Sequence, residues 1–253
     1  ERSKIKGSDI GQVAFGHVIN TEPRDMYLSR VAALNAGVSN ETPAMNVNRL
    51  CGSGAQAIVS IFQSLTMEDA NFGVAGGAES MSRSPHIISD TRWGRKMGDS
   101  TVSDMMIGAL TCPFGTGHMG VTAENVANEL QISRQEQDQF ASESQRKAIL
   151  AIENGHFKEQ IIPIEIKRKR ESALFDQDEH PKETNLKTLS KLPTVFKKEG
   201  TVTAGNSSGI NDGAAALVLG TKTAITRHKI NPVAKILGYS QTGVRPEVMG
   251  IGP

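Results

Sequence analysis

The chain has 253 residues, of which 38% are hydrophobic and 22% charged, and its 28 Lys and Arg against 27 Asp and Glu give a formal net charge of +1. This is the composition of a globular protein of one to two domains, and it excludes disorder, collagen or a coiled coil as the main theme. The charge balance gives no electrostatic reason to expect a nucleic acid or an anionic membrane, so the expected partner is a small molecule.

The first strand signal is Gly11 to Asn20, where Val13, Phe15, Val18 and Ile19 sit among glycine and small residues. A helix is predicted from Arg24 to Ala36, with a stripe of Leu28, Val31, Ala32 and Leu34 and an end marked by Gly37. Residues 44–49 alternate apolar and polar side chains, as a short strand does, and run directly into Leu50-Cys51-Gly52-Ser53-Gly54. Ala55, Ile58, Ile61, Phe62 and Leu65 then recur at helical spacing up to Met67, and Asn71 to Gly77 reads as a buried glycine-rich strand. From Ser80 to Glu199 the sequence is irregular and polar, with Met97, Met105, Met106 and Met119 and little strand signal before residue 160, so it reads as an insertion. Within it one helix is expected over Thr122 to Leu130. Another follows Ile132, opened by the capping box Ser133-Arg134-Gln135-Glu136 and stopped by Gly155. Regular structure is expected to return at Thr201 to Ala204, followed by a glycine and polar loop and the apolar run Gly213 to Leu219. A helix from Lys222 to His228 and a last strand from Val233 to Gly238 complete the series. Strands alternating with helices imply an α/β protein with a mostly parallel sheet covered by helices.

The two cysteines, Cys51 and Cys112, cannot form a disulfide framework for a chain of this size and point to a reducing compartment. No apolar run of about 18 residues occurs and the first residues lack the apolar segment of a signal peptide, so a soluble intracellular protein is expected. The chain starts without Met and stops at Gly250-Ile251-Gly252-Pro253, a turn-like sequence, which reads as part of a longer protein.

Cys51 is the most informative position. It lies between the end of a strand and the start of a helix and is followed by Gly52 and Gly54, so its sulfur is expected at the positive end of a helix dipole, a setting that favours thiolate. The glycines allow a sharp turn and a close substrate, a logic similar to that of the strained nucleophile turns of acyl-transfer enzymes. An isolated cysteine is more often a small buried hydrophobe; the surrounding Asn-Arg-Leu-Cys-Gly-Ser-Gly favours the nucleophile. His118, in Gly117-His118-Met119-Gly120, is compatible by itself with a structural or a catalytic role. The stretch Gly200 to Gly213 carries small residues that would let a thin ligand lie against the backbone, with Ser and Asn side chains suited to amides. Lys167-Arg168-Lys169-Arg170 reads as a solvated strand edge or loop, with polyphosphate attraction as its functional alternative. His17, His86, His156, His180 and His228 have no metal-ligand spacing to cysteines or carboxylates, so no metal site is expected. Neither a Walker A motif nor a complete Gly-x-Gly-x-x-Gly turn is present.

Four stretches, in this order and spacing, resemble the thiolases. They are Asn48 to Gly54, Gly73 to Ser82, His118 to Asn125, and Thr201 to Gly213 continuing into Ala214-Ala215. The resemblance covers nearly the whole chain. It implies the thiolase fold, in which two similar layered α-β-α halves each carry a mostly parallel mixed sheet and a mainly helical loop domain is inserted into the first half. The implied domains are residues 1–80 with 200–230 as the first core half lacking its first strand, 81–199 as the loop domain, and 231–253 as the start of the second half.

Carried over by position, Cys51 matches the family's nucleophile, whose own N–H would contribute to an oxyanion hole, a donor of a kind worth about 3 kcal/mol in acyl-transfer enzymes. Ser208 matches the serine that bonds the pantetheine arm of coenzyme A, His118 and Met119 match residues near the acyl end, and Leu110, Phe196, Ala204, Gly209 and Met249 match other lining positions. The His-Met-Gly form is similar to that of short-chain, acetoacetyl-CoA-type members, so the implied reaction condenses two acetyl-CoA or runs in reverse. Coenzyme A thioesters are then substrates and no cofactor is needed. The family implies a homodimer or homotetramer, and the compartment is expected to be the cytoplasm, with the mitochondrial matrix as the alternative. At His180-Pro181-Lys182, where the family often has an arginine near the adenine and phosphates, Lys182 would serve as a point charge without a stacking plane. The family's later motifs, with Asn-Glu-Ala-Phe, a Gly-His-Pro histidine and a Cys-x-Gly acid-base cysteine, do not occur in these 253 residues, so the chain by itself is expected to be inactive. The rival readings are a longer-chain 3-ketoacyl-CoA thiolase, a cysteine hydrolase using Cys51 and His118, and a noncatalytic coenzyme A binder.

Overall fold

The computed structural model describes residues 2–167 and 172–252. In chain order the elements are β1 (Ile10–Gly16), α1 (Leu28–Asn35), β2 (Ala44–Val47), α2 (Ser53–Thr66) and β3 (Phe72–Ser80). They continue with β4 (His86–Ile88), β5 (Val102–Asp104), α3 (Met105–Ala109), β6 (Thr111–Cys112), β7 (Gly117–His118), α4 (Met119–Glu129) and α5 (Arg134–Glu153). The last are β8 (Ile164–Lys167), β9 (Ser172–Phe175), α6 (Leu186–Leu189), β10 (Asp212–Gly220) and α7 (Lys222–Arg227). Contacts divide the chain into two compact units, residues 1–110 with 210–241 and residues 111–209 with 242–253, a partition made on different grounds from the family-based one above.

In the first unit, β1 pairs in parallel with β2 on one side and β3 on the other, and β10 closes the order β10-β3-β1-β2 by running antiparallel to β3. The pleat sends alternate residues to opposite faces. Ile10, Val13 and Phe72 cluster with Ala33 of α1 and Ala224 of α7. Ala14 and Ala75 cluster with Ala57, Ile61 and Leu65 of α2. Ser53, Ala57, Ile61 and Leu65 recur every fourth residue, which is why α2 buries one stripe. The helix sits close because Gly73 lacks a side chain: a Cβ there would stand 2.7 Å from Cγ2 of Ile61. The result is a layered α-β-α arrangement around a mixed, mostly parallel sheet, as the sequence pattern indicates.

The second unit is built on α4, α5 and α6 with two hairpins, β6–β7 and β8–β9. A 3-10 helix, Pro246–Ile251, packs on α4, where Asn125 Nδ2 donates to the Glu247 carbonyl at 3.0 Å and Arg245 pairs with Glu129 at 2.8 Å. Among the described residues no helix is long and apolar enough to cross a membrane.

Several elements differ from the sequence expectations. The helix expected from Arg24 divides into a 3-10 turn, Pro23–Tyr27, and α1 proper. The helix expected at Thr122 starts earlier, at Met119, because His118 caps it. Residues 201–204 form no strand; Thr203 makes only an isolated bridge with Thr194. Residues 233–238 are not a strand either, since no neighbouring strand among the described residues offers them a ladder, and Val233 and Leu237 are left exposed. The region before residue 160 holds the short pairs β4–β5 and β6–β7, too brief for an alternating pattern to register. Of the basic run, Lys167 ends β8, and Arg168, Lys169 and Arg170 lie outside the described residues.

Candidate active site

Cys51 stands exposed between β2 and α2, directly ahead of the helix N-cap, Gly52. The turn that presents it is closed by short local bonds. The Gly52 amide donates to the Arg49 carbonyl and the Ser53 amide to the Leu50 carbonyl, both at 3.0 Å. Asn48 Oδ1 accepts from the Leu50 amide at 3.0 Å, and Leu50 itself is left-handed, with φ +46°. The Arg49 guanidinium reaches forward to Gln56 Oε1 at 2.7 Å. Beneath the turn, β1 passes so close at Gly16 that a Cβ there would lie 2.6 Å from the Ser53 carbonyl carbon. Leu110, in the same unit, is half-buried and terminates α3.

The other residues singled out in the sequence lie in the second unit, and there some are brought together. His118 is the N-cap of α4: its Nδ1 accepts from the Gly120 amide at 3.0 Å, so the neutral ring carries its proton on Nε2. The ring stacks on Phe196 with centroids 4.8 Å apart and planes 14° apart. Gly120 makes room for that ring, since a Cβ there would lie 2.2 Å from Phe196 Cδ2. Met119 follows as the first residue of α4, with its carbonyl accepting from the Thr122 hydroxyl at 2.6 Å.

The loop from Gly200 to Gly209 is held by buried polar groups. The Glu124 carboxylate, 4% exposed, accepts from the amides of Thr201 and Val202 at 2.9 and 2.8 Å and from the Thr201 hydroxyl at 3.1 Å. Asn206 Oδ1 accepts from the Thr203 amide at 2.7 Å, and its Nδ2 donates to Asp138 Oδ1 at 3.0 Å. Asp138 is itself buried against Arg134, with Nε to Oδ2 at 2.8 Å, and Arg134 continues to the Leu189 carbonyl at 2.6 Å. This lattice leaves Ala204 and Ser208 exposed and Gly209 half-buried. Lys182 is exposed, its backbone amide donating to Gln145 Oε1 at 3.0 Å, and Met249 lies on the 3-10 helix that packs on α4.

Sequence reasoning did not single out Glu124, Asp138, Arg134 or Asn206 as loop supports, or the Ser53 hydroxyl as part of the cysteine turn. Only proximity in sequence could have flagged Ser53; Asp138 and Asn206 stand 68 positions apart with no local signal between them. Nor did it assign Cys112 a setting. That thiol is buried in the β6–β7 hairpin, and the Thr116 hydroxyl together with the Phe114 and Thr116 amides holds it below the usual cysteine range. Among the described residues no group of three or more His, Cys, Asp or Glu is placed to hold a metal ion.

Residues 1–223 match the family model described as the thiolase N-terminal domain. Among curated proteins the chain is 52% identical over 254 residues to beta-ketothiolase BktB of Cupriavidus necator, and 42% identical over 257 residues to an acetyl-CoA acetyltransferase of Syntrophomonas wolfei. In both cases all of the chain is matched to 64% of the relative. Among solved structures, human mitochondrial 3-ketoacyl-CoA thiolase superposes with a TM-score of 0.95 at 40% identity, covering 99% of this chain and 64% of that one. The chain thus spans about 64% of the length of the relatives it matches.

Proposed function

The chain belongs to the thiolase family, and on that premise we propose that it carries the nucleophile and much of the substrate-binding surface of a short-chain acyltransferase. In this reading the Cys51 thiolate attacks the carbonyl carbon of acetyl-CoA, the carbonyl electrons move to oxygen and return, and coenzyme A leaves as its thiol with one proton. The acetyl group is then a thioester on Cys51. A second acetyl-CoA, deprotonated at its methyl carbon, takes that group to give acetoacetyl-CoA and restores the thiolate; thiolysis is the same sequence reversed.

The observation that carries the reading is the placement of Cys51. It is an exposed thiol directly ahead of a fourteen-residue helix, on a closed turn. The Cys51 amide is proposed as a donor for the oxyanion that forms when the thioester is attacked. Ser208 is proposed to bond the pantetheine arm and Lys182 to meet the phosphates. His118 and Met119 are proposed at the acyl end, and Leu110, Phe196, Ala204, Gly209 and Met249 along the arm. Coenzyme A thioesters are the substrates, with no further cofactor, and the working protein is a homodimer or homotetramer. The base that would deprotonate the methyl carbon of the second acetyl-CoA is not among these residues, so the chain by itself is expected to stop at the acyl-enzyme.

Relatives named as beta-ketothiolase and 3-ketoacyl-CoA thiolase support the longer-chain alternative. The test presents the chain separately with acetyl-CoA, acetoacetyl-CoA and a long-chain 3-ketoacyl-CoA and follows the acyl mass on the protein together with released products. The proposal expects an acetyl adduct from the first two and no repeated turnover. A dominant long-chain adduct would replace the short-chain reading, steady release of free acid would make the protein a hydrolase, and sustained thiolysis would overturn the expected inactivity.

A further inference from the structure

We propose that Ser53 is a positioning residue for Cys51: its hydroxyl holds the left-handed backbone of Leu50 and thereby fixes the direction in which the cysteine leaves the turn. The inference rests on the reading of Cys51 as the nucleophile.

A serine at a helix start ordinarily caps the helix by accepting from an amide further along it. Ser53 does something else. The N-cap is Gly52, which makes no side-chain bond, and Ser53 is already the first helical residue. Its hydroxyl turns backward. It accepts from the Arg49 amide at 2.8 Å and donates to the Leu50 carbonyl at 2.5 Å, while its own amide bonds the same carbonyl at 3.0 Å. One group it grips, the Arg49 amide, belongs to the peptide ahead of Arg49 and the other, the Leu50 carbonyl, to the peptide after Leu50, so the backbone of both residues is held between them. Leu50 has φ +46°, a conformation that L-residues other than Asn, Asp and Gly seldom adopt and that leucine holds only when its neighbours require it. Leu50 is 55% exposed, so core packing does not impose the conformation; the hydrogen bonds of the turn do, those of Ser53 together with the one from the Leu50 amide to Asn48 Oδ1.

The anchor itself is fixed. Ser53 is 4% exposed and lies over β1 at Gly16, where a Cβ would come within 2.8 Å of the Ser53 Cβ and 2.7 Å of the Gly54 nitrogen. The turn is therefore tied to the sheet through Ser53, and Cys51, between the two gripped residues and the helix, inherits its orientation from that tie. Replacing the hydroxyl with hydrogen would leave the Arg49 amide without its partner and free Leu50 to relax toward an ordinary φ.

The test compares the chain with its Ser53→Ala, Ser53→Ala/Leu50→Gly and Leu50→Val variants. The readouts are the rate of acetyl transfer from acetyl-CoA to Cys51 and the iodoacetamide alkylation of both cysteines, with Cys112 as an internal reference. Ser53→Ala should slow acetyl transfer by about tenfold or more, the order expected when a reacting group is displaced by a fraction of an ångström to 1 Å, with Cys112 unchanged. Adding Leu50→Gly should restore most of the rate, because glycine adopts positive φ without strain and no longer needs the serine; a purely packing role for Ser53 would not be rescued this way. Transfer at the original rate in Ser53→Ala, or no recovery in the double variant, overturns the proposal. Should Ser53→Ala unfold, seen as Cys112 becoming as reactive as in denaturant, Leu50→Val decides. A β-branched residue resists positive φ at this exposed position, so it must slow Cys51, and an unchanged rate again overturns the proposal. If the unaltered chain takes no acetyl group, the functional reading fails by itself, and the Cys51 alkylation rates, with the same expected loss and rescue, still test the positioning.

Discussion

The imidazole of His118 does two jobs at once: its Nδ1 accepts from the Gly120 amide at 3.0 Å while its face stacks on Phe196 at a centroid distance of 4.8 Å. One nitrogen caps α4, the ring stacks on Phe196, and Nε2 is left to carry the proton. A residue compatible in sequence with a structural or a catalytic role is therefore structural through Nδ1, and the role proposed for it at the acyl end falls to Nε2.

The two contributions separate by substitution. His118→Ala removes cap and stack together, whereas His118→Asn keeps a side-chain cap and loses only the stack. With a cap worth about 1 kcal/mol and an aromatic pair about 0.5–1.5 kcal/mol, His118→Ala should be less stable than His118→Asn by roughly the cap value in urea denaturation. Equal stabilities of the two variants would show that the Gly120 bond contributes nothing.

Glu124→Gln tests the support of the loop that carries Ser208. The glutamine would keep an acceptor for one amide and turn its NH2 toward the other donors. Charge-assisted hydrogen bonds each contribute about 1.5–3 kcal/mol, so a loss of about 2 kcal/mol in chemical denaturation is expected. Faster hydrogen exchange at Thr201 and Val202 should accompany it, and unchanged protection there would contradict the role.

Gly16→Ala probes the contact between β1 and the head of α2. The new Cβ would fall 2.6 Å from backbone of Ser53, where no flexible side chain can yield. Overpacking of this kind costs about 1–3 kcal/mol, and the thermal midpoint should drop accordingly. An unaltered midpoint would mean that the strand and helix are not in this register.

Acid sensitivity should localise to the pairing of Ser82 with Asp212, which ties the 3-10 turn after β3 to the start of β10. Hydrogen bonds from the Ser82 hydroxyl at 2.5 Å and amide at 2.9 Å hold the Asp212 carboxyl below its ordinary value of 3.8. A depressed carboxylate stabilises the fold above its ordinary value and loses that contribution as pH falls through the lower folded value. The stability gap between the chain and Asp212→Asn should thus be present at neutral pH and shrink on acidification below about pH 4. A gap independent of pH would exclude this origin.

How much of this was legible beforehand depended on the range of the interactions involved. The β1 to β3 core was readable because each strand and helix carries its own local pattern, and the fourfold recurrence from Ser53 to Leu65 marks the buried face of α2 directly. The head of α2 was readable for the same reason, since Cys51, Gly52 and Gly54 state a sharp turn within four positions. Residues 233–238 read as a strand in the sequence and are not one in the structure, because an apolar, β-prone run says nothing about whether a partner edge exists. The sequence signal for α4 begins three residues after its actual start because a histidine cap leaves no ordinary Ser, Thr, Asp or Asn signal. The loop supports were invisible for a different reason: Glu124 reaches Thr201 and Asp138 reaches Asn206 across the fold, and pairings at that separation are specified by packing rather than by neighbours.

The central claim is that Cys51 accepts an acyl group from coenzyme A, and the most direct measurement is peptide mapping of the chain after exposure to acetyl-CoA. The acetyl group is expected on the Cys51 peptide, bound as a hydroxylamine-labile thioester, absent from Cys112 and abolished by Cys51→Ala. An unmodified Cys51, or acetylation that persists in Cys51→Ala, would contradict the account.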